Sequence, residues 1–128
     1  MKNFRELIVW QKAHQLTLDV YRITANFPKT ETYGLTSQIR RASASIATNI
    51  AEGCGRSGEA EFARFLHIAA GSANEVEYQL LLARDLSYMN ADDYAQLSNQ
   101  LIEIKRMLVS LISKIRTHQK IRALNAIC

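Results

Sequence analysis

Residues 94–115 read YAQLSNQLIEIKRMLVSLISKI, and their apolar side chains recur at alternating steps of three and four. This spacing matches the 3.6-residue period of an α-helix and places the apolar side chains on one face. Asn90 stands where a helix cap is expected, and Asp92 and Asp93 follow in the first turn, where acidic side chains complement the helix dipole. The pattern predicts a helix over residues 91–117. Its predicted core positions are Tyr94, Leu97, Leu101, Ile104, Leu108, Leu111 and Ile115.

Three further segments carry the same spacing, and none shows the sustained period of two that indicates a strand. The four predicted helices cover residues 4–26, 34–54, 58–87 and 91–117. Because the connections between them are short, neighbouring helices should be antiparallel. The sequence therefore predicts an all-α protein, an antiparallel up-down-up-down four-helix bundle formed by residues 1–117. Residues 118–128 form a basic C-terminal tail that either extends the last helix or frays.

Glycine and small side chains mark positions where the chain turns or helices approach closely. Residues 53–58 contain three glycines and are predicted to form a turn, with Ser57 as a cap for the third helix. Residues 42–48 and 69–73 are mostly small, which lets helix axes lie close together. Gly71 costs a helix about 1 kcal/mol relative to alanine, so we expect a packing reason for it. The interpretation we favour is close packing inside the bundle; the alternative is a contact between subunits.

Positive charge is concentrated at the C-terminal end of the chain. The 128 residues include 16 bases and 12 acids, a net charge of +4. No acidic residue follows Glu103, but six bases do: Lys105, Arg106, Lys114, Arg116, Lys120 and Arg122. Such an end favours an anionic partner, or it compensates the dipole at the C-terminus of a helix, and both interpretations stay open.

Composition excludes several classes of protein. The two cysteines, Cys54 and Cys128, cannot form a multi-bridge disulfide scaffold. Charged residues near the N-terminus interrupt the apolar core that a signal peptide needs. The longest uncharged runs, residues 42–51 and 65–74, are shorter than the roughly 20 apolar residues of a membrane span. We therefore expect a cytoplasmic protein without membrane contact.

The sequence contains no recognisable catalytic or metal-binding constellation. His14, His67 and His118 lie in three different segments, and no Glu-x-x-His motif of a di-iron bundle occurs. Residues 53–58 are rich in glycine but lack the Gly-Lys-Ser/Thr ending of a phosphate-binding loop. We expect a protein that is not an enzyme and needs no metal or other cofactor.

Some apolar side chains of the first and fourth helices lie off the predicted core stripes. A monomeric bundle needs one apolar stripe per helix, so a second stripe indicates a partner. Self-association is the simplest explanation, and the interface residues predicted for a homo-oligomer are Trp10, Tyr21, Ile102, Val109 and Ile112.

The second helix carries a double arginine, Arg40 and Arg41. A guanidinium group binds phosphate and carboxylate oxygens equally well, so either RNA contact or a structural ion pair would explain these residues. For Arg41 we favour pairing with Glu52, Glu75 or Glu77, whereas Arg40 is expected to be unpaired.

Several short motifs together resemble the 23S ribosomal-RNA intervening-sequence protein family over about residues 4–116. They are FREL at 4–7, VWQKA at 9–13, YGL at 33–35, QIRRA at 38–42 and NIAEG at 49–53. The resemblance implies a four-helix bundle that assembles as a ring-shaped homo-oligomer, a pentamer. Members of this family are often encoded within insertions in bacterial large-subunit rRNA genes. Their relatives include the accessory variability protein of diversity-generating retroelements, which binds nucleic acid and a reverse transcriptase.

Two functions from different classes remain. The first is a non-enzymatic homo-oligomer that binds ribosomal or other RNA through basic surface. The residues predicted to bind nucleic acid are Arg40, Arg41, Arg56, Lys105, Arg106, Lys114, Arg116, Lys120 and Arg122. No aromatic residue interleaves with the basic end, so its contacts should tolerate many sequences. The second is a scaffold that docks another protein, such as a nucleic-acid-processing protein, without touching nucleic acid.

Overall fold

The computed structural model describes residues 2–127, which form four α-helices. The helices are α1 (Ile8–Thr24), α2 (Leu35–Gly55), α3 (Glu59–Asp85) and α4 (Ala91–Ile127). Each helix packs against its sequence neighbours, and α4 also packs against α1 to close the bundle. No residue in the range 2–127 is in a strand. The predicted all-α four-helix bundle is confirmed.

Capping side chains set two of the helix starts. Asn90 Oδ1 accepts a hydrogen bond from the Asp93 backbone N–H at 2.7 Å, as the cap predicted for α4 should. Asn3 Oδ1 accepts from the Arg5 N–H at 3.1 Å, but this bond caps a separate 3₁₀ turn, Phe4–Glu6. The extended backbone of Leu7 then separates that turn from α1. The first helix is therefore shorter than the predicted residues 4–26 at both ends.

The glycine-rich segment between α2 and α3 differs from the prediction. The predicted helix 34–54 overlapped the predicted turn at residues 53–58, and α2 in fact continues through Gly55. The cap of α3 is Gly58, with a left-handed φ of 89° and no side-chain bond, so the expectation of a Ser57 cap is wrong. Gly53 is instead a point of close approach. A Cβ at this position would lie 2.9 Å from Phe62 Cδ1 and 3.0 Å from Phe65 Cβ.

The two small-residue segments do face each other. Ser45 of α2 and Ser72 of α3 share a hydroxyl–hydroxyl hydrogen bond of 2.9 Å, which requires the helices to approach closely. Gly71 does not take part in this contact. It is exposed, and an added Cβ would meet no atom within 4 Å. The packing of Gly71 inside the bundle, which we favoured from the sequence, is therefore wrong.

Gly53→Ala and Gly71→Ala form a matched pair with opposite expected effects. We expect Gly53→Ala to lower the free energy of unfolding by about 1–2 kcal/mol, because the overpacking cost exceeds the gain in helix propensity. Gly71→Ala should raise it by about 0.5–1 kcal/mol, because only the propensity gain applies. Urea unfolding of both variants measures the difference. Equal effects of the same sign would contradict the close approach at Gly53.

The buried side of α4 departs from the predicted stripe at two positions, Tyr94 and Leu111, which are both only half-buried. The structure buries Leu97, Leu101, Ile104, Leu108, Ile112 and Ile115. Ile112, predicted to lie at a subunit interface, is only 6% exposed and belongs to the core, while Leu111 is half-buried. A period of 3.6 residues drifts from an alternating three-and-four pattern over a long helix, which moves burial from position 111 to 112.

A carboxylate fastens the loop before α2 to the end of α3. Glu31 accepts one hydrogen bond from the Leu35 N–H at 3.1 Å and another from the Tyr88 hydroxyl at 2.8 Å. These two bonds stabilise the charged form and lower the pKa of Glu31 below its usual value. The same contact raises the pKa of Tyr88.

These pKa shifts predict how stability depends on pH. A carboxyl group whose pKa is lower in the folded state stabilises the fold above its unfolded pKa, about 4.3 for glutamate. That contribution should disappear as the pH falls through the lower, folded value. We expect Glu31→Gln to be less stable than the unmodified protein at pH 6 and to approach it at pH 3. Urea unfolding at both pH values tests this, with Glu75→Gln as the control.

Candidate nucleic-acid interface

α4 is the longest helix, and its C-terminal part lies beyond the core. It has 37 residues, against 17, 21 and 27 for α1, α2 and α3. Its last buried residue is Ile115, and nearly all side chains from Arg116 to Ile127 are exposed. The C-terminal residues therefore continue the helix and hold their charges in a regular array. The fourth helix predicted over 91–117 is correspondingly too short.

Polar contacts fix the direction of α4 against the rest of the bundle. Asp19 of α1 accepts a hydrogen bond from Gln100 at 3.0 Å, and Lys12 pairs with Glu103 at 3.0 Å. Further along, Glu59 at the start of α3 contacts two side chains of the extension. Its Oε1 lies 2.9 Å from His118 Nδ1 and 3.0 Å from Arg122 Nη2.

Four of the cations predicted to bind nucleic acid have partners within the bundle. Lys105 Nζ lies 2.6 Å from Glu77, Arg122 pairs with Glu59, and Arg56 Nη2 lies 3.4 Å from Glu52. Arg116 donates to His67 Nε2 at 2.8 Å. A carboxylate partner offsets the cation's charge, so a phosphate would have to compete for the first three.

Three other predicted cations on α4 have no such partner: Arg106, Lys114 and Lys120 pair with no carboxylate within residues 2–127. Arg106, Ser110 and Lys114 are spaced four residues apart and therefore lie on one side of α4. Lys120 lies further along the same exposed helix. We call these four residues the α4 basic face.

Two open depressions, of about 620 and 550 Å³, lie on either side of this face and share Arg106, Ser110 and Lys114. The second depression also borders the start of α1, where Leu7 provides no side-chain cap and the first turn contains no acid. The positive end of the α1 dipole therefore adds to the potential of the two cations. Glu6 lines the same depression and offsets part of it.

The double arginine of α2 is arranged differently from the expectation. Arg40, expected to be unpaired, donates from Nε to Thr24 Oγ1 at 2.9 Å and from Nη2 to the Tyr21 carbonyl at 3.2 Å. Its guanidinium also lies 4.6 Å from the centroid of the Tyr21 ring. Arg41 is exposed, and none of its expected carboxylate partners reaches it within the described range. Arg40 therefore joins α2 to α1, while Arg41 remains accessible.

The residues predicted for a subunit interface divide into three kinds. Ile102 and Val109 are exposed on α4, at 43% and 65%. Tyr21 is exposed on α1 but covered on one side by Arg40. Trp10 is half-buried against the core, and Ile112 is buried, so its prediction as an interface residue is wrong. The exposed apolar pair lies directly beside the α4 basic face.

A groove between α1 and α2 was missed by sequence reasoning. It has a volume of about 650 Å³ and is open to solvent along α2. Trp10 and His14 border it with their rings stacked, 5.1 Å between centroids and 9° between planes. The sequence offered one signal, because His14 follows Trp10 by four residues and so lies one helical turn away. We did not connect the two rings to the small residues of α2.

No group of three or more His, Cys, Asp or Glu side chains within residues 2–127 is arranged to hold a metal ion. Across the same range, no helix combines the length and apolar character needed to cross a membrane.

Comparison with known proteins identifies a family and similar solved structures. The sequence profile described as 23S rRNA-intervening sequence protein matches residues 5–110. Among solved structures, the chain is similar to a protein of unknown function from the S23 ribosomal protein family of Bacteroides thetaiotaomicron VPI-5482. The two are 30% identical, with a TM-score of 0.74 over 82% of this chain and 98% of that one. No curated protein matches the chain.

Proposed function

The chain belongs to the 23S rRNA-intervening sequence protein family, and from this membership and its charge distribution we propose a non-enzymatic homo-oligomer that binds RNA. The contact surface is the α4 basic face. The observation that carries the proposal is that its three cations have no carboxylate partner within residues 2–127. A phosphate can bind them without first displacing a protein carboxylate.

The separation of Arg106 and Lys114 suits a nucleic-acid backbone better than a single small anion. Arg106 and Lys114 are eight residues apart, about 12 Å along a helix that rises 1.5 Å per residue. That distance spans two or three phosphates, and the Ser110 hydroxyl between them is a further donor. No aromatic side chain lines the depressions beside Arg106 and Lys114, so contact there is with phosphates and is tolerant of sequence.

Self-association supports RNA binding because it repeats the α4 basic face. We propose that Ile102 and Val109, which are exposed beside that face, contribute to a contact between copies of the chain. Burying them would close the depression that they line and bring the basic faces of neighbouring subunits close together, while the second depression, beside α1, stays open to RNA. We expect a ring of such subunits, with the pentamer as its form. Several basic faces could then contact one RNA molecule at the same time, which would increase the avidity of binding.

Filter binding of 23S rRNA fragments at two salt concentrations tests the proposal. We expect the logarithm of the association constant to fall with the logarithm of salt, by about 0.7–0.9 for each phosphate neutralised. Light scattering on the same samples reports assembly. Absence of binding at low salt would contradict RNA binding and favour a scaffold that docks another protein through Ile102 and Val109.

A further inference from the structure

The groove between α1 and α2, which we call the α1–α2 groove, is lined along α2 by small side chains. Four residues of α2 form its floor: Ala44, Ala47, Thr48 and Ala51. No side chain in this set is larger than threonine, and the groove ends at Gly55, where an added Cβ would meet no atom within 4 Å. A flat group could therefore lie along α2 without displacing any part of the protein.

An aromatic wall borders this floor on the α1 side. The Trp10 indole is parallel to the His14 imidazole, and the Phe4 ring meets Trp10 edge-on, with centroids 4.9 Å apart. Because Phe4 and Trp10 pack against the core, the wall is held in place before any ligand arrives. His14 is exposed, so its ring is accessible for further stacking. The uncovered face of the His14 ring can stack on a nucleobase, because every base has a π-face.

One end of the groove carries groups of opposite charge. Arg56 lies 3.4 Å from Glu52, and its guanidinium is 5.2 Å from the centroid of the Phe65 ring. A guanidinium binds a phosphate, while a carboxylate accepts hydrogen bonds from an exocyclic amino group. The wall, the carboxylate and the guanidinium together suit three groups of a nucleotide: the ring of its base, an exocyclic amino group on that base, and the phosphate.

We propose that the α1–α2 groove binds one unpaired base of a single-stranded RNA, with a preference for bases that carry an amino group. The base stacks on the face of the His14 ring that Trp10 does not cover. Its amino group donates to the Glu52 carboxylate, and the adjacent phosphate competes with that carboxylate, 3.4 Å away, for Arg56. This inference rests on the proposed RNA binding and adds a second contact on a different side of the bundle, where base identity is read. The α4 basic face then supplies affinity, and the groove supplies selection.

A helix from a second copy is the other possible occupant of a groove with a small-residue floor. The nucleotide fits the lining better, because a helix would bury Glu52 and Arg56, whose 3.4 Å contact is too long for a strong ion pair. A nucleotide instead leaves both groups at the open end, in contact with solvent. The two occupants give different results in the experiment below.

The test uses Trp10, which is the only tryptophan in the chain and so reports directly on the groove. We expect tetracytidylate to quench its emission saturably at low salt. Tetrauridylate should bind about 5- to 10-fold more weakly, because uracil lacks the amino group that cytosine donates to Glu52. His14→Ala should weaken tetracytidylate binding roughly 5- to 100-fold, the range measured for loss of one base–aromatic stack.

Two further variants and a control complete the design. Ala44→Leu fills the groove and should abolish quenching, whereas Ala95→Leu, on an exposed part of α4, should leave it unchanged. Glu52→Gln should remove most of the preference for cytosine over uracil while quenching persists. Circular dichroism of each variant establishes that the helices are retained.

Three outcomes would overturn the groove proposal. If 23S rRNA fragments bind on filters while Trp10 emission stays constant and Ala44→Leu binds normally, the α4 basic face acts alone and the proposed function stands. If Trp10 emission changes with protein concentration and Ala44→Leu alters the mass in light scattering, the groove is a subunit contact. If no RNA binds on filters at low salt, the proposed function fails as well.

Discussion

Replacing Arg106 and Lys114 together with glutamine is expected to weaken RNA binding about 100-fold at a salt concentration of about 50 mM. Both cations lack a carboxylate partner within residues 2–127. Each is therefore expected to neutralise one phosphate and release its counterions. Two such contacts contribute about 1.4–1.8 to the slope of log affinity against log salt, and the double variant should lose that amount.

The matched control is the double variant Lys105→Gln, Arg122→Gln. It removes the same charge from the same helix, but Lys105 lies 2.6 Å from Glu77 and Arg122 lies 3.0 Å from Glu59. Because these carboxylates already offset the two cations, their loss should change the slope by much less than that of Arg106 and Lys114. Circular dichroism should be unchanged in both variants. Equal weakening by the two double variants would mean that total charge governs binding, and would contradict a specific role for the α4 basic face.

The helical spacing predicted the fold because burial follows it closely. Positions such as Leu97, Leu101 and Ile104 are fully or almost fully buried, as a 3.6-residue period requires. The pattern was insufficient where a tertiary contact decides the local structure. Gly53 fell where the predicted helix 34–54 overlapped the predicted turn 53–58; it lies in the helix, and the side chains of Phe62 and Phe65 approach it closely. The spacing of apolar residues within one helix does not show which side chains of another helix pack against it.

The candidate site was less predictable, because its chemistry depends on which charges meet across helices. The sequence identified the cations of α4 but not their partners, which come from α3: Glu59, His67 and Glu77. The contacts of Arg40 were unpredictable for the same reason. It binds a backbone carbonyl and a hydroxyl of α1, which no charge pattern marks. The α1–α2 groove was missed for the same reason, since its wall and floor come from different helices.

Two substitutions three residues apart on α4 should separate folding from assembly. Ile112 is 6% exposed and packs in the core, so Ile112→Asp would bury a carboxylate without a partner. We expect it to lower the free energy of unfolding by about 4 kcal/mol, a large part of the 5–15 kcal/mol typical of a domain. Val109 is 65% exposed, so Val109→Asp should change the intrinsic stability of the bundle by no more than about 0.5 kcal/mol.

The dependence on protein concentration distinguishes the two effects. If subunits associate through the exposed apolar side chains of α4, the unmodified protein should become more stable as its concentration rises, because only folded chains associate. Val109→Asp should remove that dependence and give a monomer in light scattering with its helices intact. Ile112→Asp should be destabilised at every concentration. A Val109→Asp variant that assembles like the unmodified protein would place the subunit contact elsewhere, with the exposed outer side of α3 around Gly71 and Tyr78 as the next surface to vary.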